Sequence, residues 1–273
     1  MATSQPQKKI SPLQLILTIL IVLTAIYLIF VIIYQTNLRR RPDTTAQTIL
    51  QENSSSIYKD KKGNLVFLPP QPASQGLIFY SGAFVDPASY AQFLHQLANQ
   101  GFFIVVPSFP FNLASLSSNK AQSIIDHYPE ITEWTGLGHS LGGVAISKYT
   151  SSHPDQLQHL ILLASYPQHS LKNYSGSIAT ILGDQDIILN EEERQKAEAA
   201  FLPGKAALII IPGANHNQFG NYLNTPPDGQ PSLTAIEQQA QVTAIIKSLL
   251  QNKATSIQPT VTVIDSDFFS SSE

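Results

Sequence analysis

The chain has 273 residues, 16 basic and 19 acidic, for a formal net charge of −3. That balance excludes a strongly basic nucleic-acid binder, and a hydrophobic content of 43% excludes a disordered polyelectrolyte. Cysteine is absent, which removes disulfides, thiolate metal sites and cysteine nucleophiles.

The charges are unevenly placed. Residues 1–41 carry Lys8, Lys9, Arg39, Arg40 and Arg41 and no acid, whereas residues 254–273 carry Asp265, Asp267 and Glu273 and no base. Between the two basic groups, residues 15–34 form an uncharged apolar run. At about 1.5 Å per residue it spans roughly 30 Å, the thickness of a bilayer's hydrocarbon core. Tyr34 and the arginines sit where interfacial anchors belong. A cleaved signal peptide has a shorter apolar region and a small-residue cleavage site; here QTNLRRR follows. Residues 1–41 therefore read as a retained single-pass membrane anchor with basic flanks, meeting lipid through residues 15–34. Lysines before the helix oppose arginines after it, so charge barely orients it. The missing cysteines tip the reading towards a domain outside the cytoplasm.

Residues 42–56 are polar and read as a linker. Apolar runs at 66–68, 77–80 (LIFY), 102–106 (FFIVV), 134–139, 160–164 (LILLA), 178–182 (IATIL) and 207–211 (ALIII) read as strands. Helical patterns occupy 87–100, 114–127, 141–151, 191–201 and 235–250, and Gly101 terminates the first. Uniformly apolar strands alternating with helices predict an α/β domain over residues 57–251, with a mostly parallel sheet covered on both faces. Residues 252–273 lack a helical period and read as an acidic, disordered tail, with 261–264 as an alternative edge strand.

Gly138-His139-Ser140-Leu141-Gly142 fits the G-x-S-x-G pattern, entered from an apolar strand and left by a helix. Gly138 and Gly142 permit a tight turn, which lifts the Ser140 hydroxyl above the sheet edge at a helix N-terminus. A nucleophilic serine needs a base, and the base needs an orienting carboxylate. His216, in the loop after ALIII, lies at the same sheet edge as Ser140. His139 adjoins the serine on a sharp turn and points elsewhere, and the other five histidines read as surface groups. Asp184 and Asp186 follow IATIL, and either fits as the acid. Asp155 falls on the wrong edge.

The order serine, aspartate, histidine resembles that of the α/β-hydrolase superfamily, in particular small, lid-poor serine hydrolases related to the dienelactone hydrolases. The resemblance covers about residues 57–251 and implies the α/β-hydrolase fold. It rests on the elbow, on a G-x-x-D turn at Gly183 to Asp186, and on a G-x-N-H-x-Q-F-G loop at Gly213 to Gly220. It implies Asp186 as the acid, with Asp184 as the alternative. It further implies an oxyanion hole built from the backbone N–H groups of Leu141 and Ala83, the latter in the Ser81 to Phe84 loop where relatives often carry His-Gly. Serine stands where dienelactone hydrolases proper use cysteine, so their substrate does not carry over. The implied reaction is ester hydrolysis through an acyl-enzyme, with no metal and no cofactor. The implied partner is a small-molecule ester. Phe84 and Tyr166 are expected to line the pocket, and the short 166–177 connection leaves no room for a helical lid. A serine acyltransferase or peptidase, or a non-catalytic binding module, would use the same scaffold.

Overall fold

The computed structural model describes residues 11–203, 206–251 and 261–263. It divides into two units, one ending at Arg39 and one beginning at Arg40. In the first, helix α1 (Pro12–Ile33) starts from a capping box between Ser11 and Gln14, with proline in its first turn. It runs on into a π-helical turn, Tyr34–Leu38. Its most apolar window has a mean hydropathy of 3.2 and no buried residue, so it is long and apolar enough to cross a membrane. Thr18 returns its hydroxyl to the Gln14 carbonyl at 2.8 Å, one turn earlier.

The second unit is built on one sheet. Its strands are β1 (Ile57–Lys59), β2 (Leu65–Phe67), β3 (Gln75–Tyr80), β4 (Phe103–Val106), β5 (Glu133–His139), β6 (His159–Leu163), β7 (Ser177–Gly183), β8 (Ala207–Ile211) and β9 (Val261–Val263). Their spatial order is β1-β2-β4-β3-β5-β6-β7-β8-β9. The β1–β2 and β2–β4 pairs are antiparallel, and every other pair is parallel. The helices are α2 (Thr44–Glu52), α3 (Ala91–Asn99), α4 (Lys120–Ile125), α5 (Leu141–Ser152), α6 (Glu191–Phe201) and α7 (Ala235–Gln251).

Alternate residues of the central strands β2, β4, β3 and β6 enter opposite cores, as the two-residue period requires. Leu77 and Phe79 pack with Phe93, Leu97, Val242 and Ile246 of α3 and α7 on one face. Ile78 and Tyr80 pack with Ile124, Ile146 and Tyr149 of α4 and α5 on the other. Each such side chain contributes about 1.5–3 kcal/mol on burial. Because both faces are covered, the strands read as unbroken apolar runs.

The structure departs from the sequence reading in several places. Residues 42–56, expected as a linker, contain α2. Asp43 caps it by accepting the Ala46 N–H at 2.9 Å, Ala46 is fully buried, and Ile49 and Leu50 pack against the core. Only three of its nine residues are apolar, Ala46, Ile49 and Leu50, too few to mark a helical period. Arg40 and Arg41, expected in the anchor's flank, fall in the second unit. The expected helices at 87–100 and 114–127 each begin as a separate 3-10 turn, Pro87–Tyr90 and Ala114–Ser117. Within the expected tail, Val261–Val263 pairs in parallel with β8, and the rest of that tail lies outside the described residues.

From β3 the chain steps to β4 on one side and returns to β5 on the other, a switch in direction that opens a crevice at the carboxyl edge of the sheet. Tyr80 at the end of β3 is level with Gly138, and Leu163 at the end of β6 with His139. The loops after β3, β5, β6, β7 and β8 therefore leave along one edge.

Candidate active site

Between β5 and α5, Ser140 adopts φ 53° and ψ −129°. A non-glycine residue in that region is strained by about 1–3 kcal/mol and persists only where its surroundings hold it. Here the Ser140 N–H donates to Leu163 O at 2.9 Å, and its carbonyl accepts the Ser165 hydroxyl at 2.7 Å. The flanking glycines are sterically required. A Cβ on Gly142 would lie 2.1 Å from the Tyr80 carbonyl oxygen, and one on Gly138 would lie 2.6 Å from the Gly143 nitrogen.

His216 follows β8, and its Nδ1 lies 2.8 Å from Asp186 Oδ2. Both side chains are nearly buried, at 8% and 3% exposure, so water competes little for this bond. The other Asp186 oxygen accepts the N–H groups of Ile188 and Leu189, both at 2.9 Å. Nδ1–H donates to the carboxylate, which leaves Nε2 as the nitrogen able to take a proton. Asp184 has a different partner, the Gly213 N–H at 2.7 Å, and so pins the turn that leads to the histidine. Gly183 lets the two turns meet: a Cβ there would lie 2.2 Å from the Ala214 carbonyl.

Leu141 and Ala83 each line a cavity that Ser140 also lines. Among the described residues, neither Ala83 N nor Leu141 N is engaged in a hydrogen bond. Leu141 stands at the first position of α5, where a helix N–H is unpaired by construction.

A family model described as the alpha/beta hydrolase family matches residues 76–241, more than half of the sequence. The chain belongs to that family. Among curated proteins none matches it significantly. Its fold is similar to those of several solved structures. Est1E from Butyrivibrio proteoclasticus, solved with ferulic acid, is 14% identical at a TM-score of 0.52, over 72% of this chain and 98% of its own. A monoacylglycerol lipase from Paleococcus ferrophilus is 13% identical at 0.52, over 70% and 98%. The esterase domain of a Rhodothermus marinus protein is 10% identical at 0.52, over 71% and 95%. Identities this low bear on the fold alone.

In this hydrolase the loops around Ser140 are tied by a buried strut that the sequence does not announce. Tyr90 Oη lies 2.8 Å from His139 Nδ1, and His139 Nε2 lies 3.1 Å from the His216 carbonyl oxygen. A carbonyl only accepts, so Nε2 carries the proton, and Nδ1 accepts from the tyrosine. The phenol oxygen in turn accepts the Gly82 N–H at 3.0 Å. One chain of hydrogen bonds thus joins the loop after β3, the serine turn and the histidine turn. His139 spends both ring nitrogens on Tyr90 and the His216 backbone, and its ring lies 4.8 Å from that of His216. Burial, reinforced by the neighbouring His216 imidazole and Arg40 guanidinium, holds the pKa of His139 well below 6.5.

That depression has a sign. Below about pH 6.5 the unfolded chain takes up a proton that folded His139 refuses, so stability is full above that pH and falls as pH drops. Denaturation midpoints are expected to be lower at about pH 5 than at about pH 7.5. The difference should shrink in His139→Gln, and persist in part because burial also lowers the pKa of His95 and His159. An unchanged difference in the variant would show that this imidazole titrates freely.

Two cavities flank the hydrolase site, and Ser140 and His216 line both. The first, about 190 Å³, is walled by Leu141, Val144, Tyr166, Ile188 and Glu193. The second, about 170 Å³, is walled by Arg40, Ala83, Val85 and Tyr222. Tyr166 thus stands where it was expected. Phe84 lines neither cavity: the backbone turns through φ 62° there, and its neighbours Ala83 and Val85 take the wall. The long connection after the histidine braces the site through Asp228. That carboxylate accepts the Asn217 N–H at 2.9 Å and the Ile187 N–H at 3.3 Å, linking the histidine turn to the acid turn. Ser165, Tyr90, Asp228 and Arg40 carry no motif that would have marked them.

Proposed function

We propose that this hydrolase is a membrane-anchored serine esterase. The observation that carries the reading is the 2.8 Å contact between His216 Nδ1 and Asp186, in a site whose serine is held in the strained elbow conformation. His216 Nε2 takes the Ser140 proton as Oγ attacks an ester carbonyl. Asp186 holds the imidazole in the needed tautomer and stabilises the imidazolium. The oxyanion is received by the Ala83 and Leu141 N–H groups, each worth about 3–4 kcal/mol of barrier. Collapse expels the alcohol, which takes the proton from His216. Water, deprotonated by the same nitrogen, then releases the acid.

Residues 164–176 contain neither helix nor strand, which supports an open site without a helical lid. The same fold carries ester chemistry in an esterase domain and a monoacylglycerol lipase, and an ester substrate is proposed here by that analogy of fold. Helix α1 serves as the single-pass anchor, and the cysteine-free chain suits a domain held outside the cytoplasm. A fluorophosphonate probe applied to the detergent-solubilised full chain should label Ser140, and short- to medium-chain p-nitrophenyl esters should be hydrolysed. Folded protein that takes no label at Ser140 would sink the reading.

A further inference from the structure

Residues 40–43 run between the two loops that border the second cavity. On one side the Arg40 N–H donates to Phe84 O at 3.0 Å, and its carbonyl accepts the Asp86 N–H at 3.0 Å. On the other, the Leu223 N–H donates to Arg41 O at 2.9 Å, and the Asp43 N–H to Asn221 O at 3.1 Å. Arg40 is thereby fixed at the cavity wall with Ala83, Ser140, His216 and Tyr222. Its Nη1 donates to the Ala83 carbonyl at 2.8 Å. That is the guanidinium's one hydrogen bond among the described residues, where it also forms no ion pair. A half-buried guanidinium in the cavity wall, with one hydrogen bond of its own, has further N–H donors to offer a ligand there, in a fork that matches a carboxylate or phosphate. Arg40 is the one lysine, arginine, aspartate or glutamate that lines the second cavity, and the nearby Asp186 and Asp228 carboxylates are each taken up by hydrogen bonds within the turns. The opposite cavity carries Glu193 beside apolar Leu141, Val144 and Ile188, so an anion is repelled there and an acyl chain is not.

We propose that Arg40 makes this site selective for anionic esters, seating a carboxylate or phosphate of the substrate in the second cavity while the apolar part occupies the first. The inference rests on the esterase reading and adds the substrate class to it. The scissile carbonyl then lies between the two cavities, over Ser140.

Two matched pairs test it with the solubilised full chain. One is phenyl butyrate against the butyrate ester of 4-hydroxybenzoate, both soluble. The other is a monoacylglycerol against its 3-phosphate, in mixed micelles. The charged member should be preferred in kcat/KM through a lower KM, by roughly tenfold to a hundredfold, the range for hydrogen bonds to charged groups. Arg40→Gln should abolish that ratio, and Arg40→Lys, a point charge without the fork, should keep part of it. Using the ratio cancels any loss from the unsupported Ala83 carbonyl, which the neutral ester reports by itself. Preference in the micellar pair alone identifies a lipid headgroup as the source of the anion, and preference in both pairs identifies an anionic ester in general; either supports the inference. No preference in either pair, or one that survives Arg40→Gln, overturns it while Ser140 labelling keeps the esterase reading. Loss of labelling overturns both.

Discussion

Ser140→Ala and His216→Ala should each lower kcat/KM for a p-nitrophenyl ester by about 10⁴- to 10⁶-fold, and the double variant should be hardly worse than either single one. In the proposed mechanism nucleophile and base act as one unit, so removing either removes the acyl-enzyme route. What would survive is the contribution of the proposed oxyanion donors, the Ala83 and Leu141 N–H groups, and of substrate binding. Neither change should unfold the protein. Ser140 holds its turn through its backbone N–H and carbonyl, and the residue that Tyr90 braces is His139. Steady-state kinetics with a thermal melt on each variant checks both halves. Additive losses in the double variant would mean that the two residues work in separate steps.

Asp186→Asn should lower kcat by about 10⁴-fold with a modest change in KM, the behaviour of a triad whose histidine is left in the wrong tautomer. The amide would keep the bonds from Ile188 and Leu189 through its oxygen, and its NH₂ would then face Nδ1. Imidazole must answer with a lone pair, which moves the proton to Nε2, where the base is needed. Asp184→Asn should behave differently. Its oxygen can still accept the Gly213 N–H, so the expected cost is a small loss of stability and little loss of kcat. If Asp184→Asn were the inactive variant, the acid would be misassigned.

The parallel sheet was legible because a strand covered on both faces must be apolar throughout, and runs such as LIFY and FFIVV carry that constraint locally. The serine turn was legible for a similar reason, since Gly142 has backbone 2.1 Å from where a Cβ would sit. Helix α2 was not, because only Ala46, Ile49 and Leu50 of its nine residues meet the core. Spacing also could not separate Asp184 from Asp186. Both lie in one turn, and which carboxylate meets the imidazole depends on how that turn docks against the histidine loop 30 residues later.

By itself the sequence determined the alternation of strands and helices, the glycine-flanked serine, and the sheet edge at which the serine, histidine and acidic turn meet. These follow from local sterics and from the period of apolar residues, both written over a few consecutive positions. Tertiary structure alone decided the pairing of Asp186 with His216, the strut from Gly82 through Tyr90 and His139, and the entry of Arg40 into the cavity. Each of these joins groups tens of residues apart through polar side chains. Such contacts leave no periodic trace, because one hydrogen bond needs only one residue on each side.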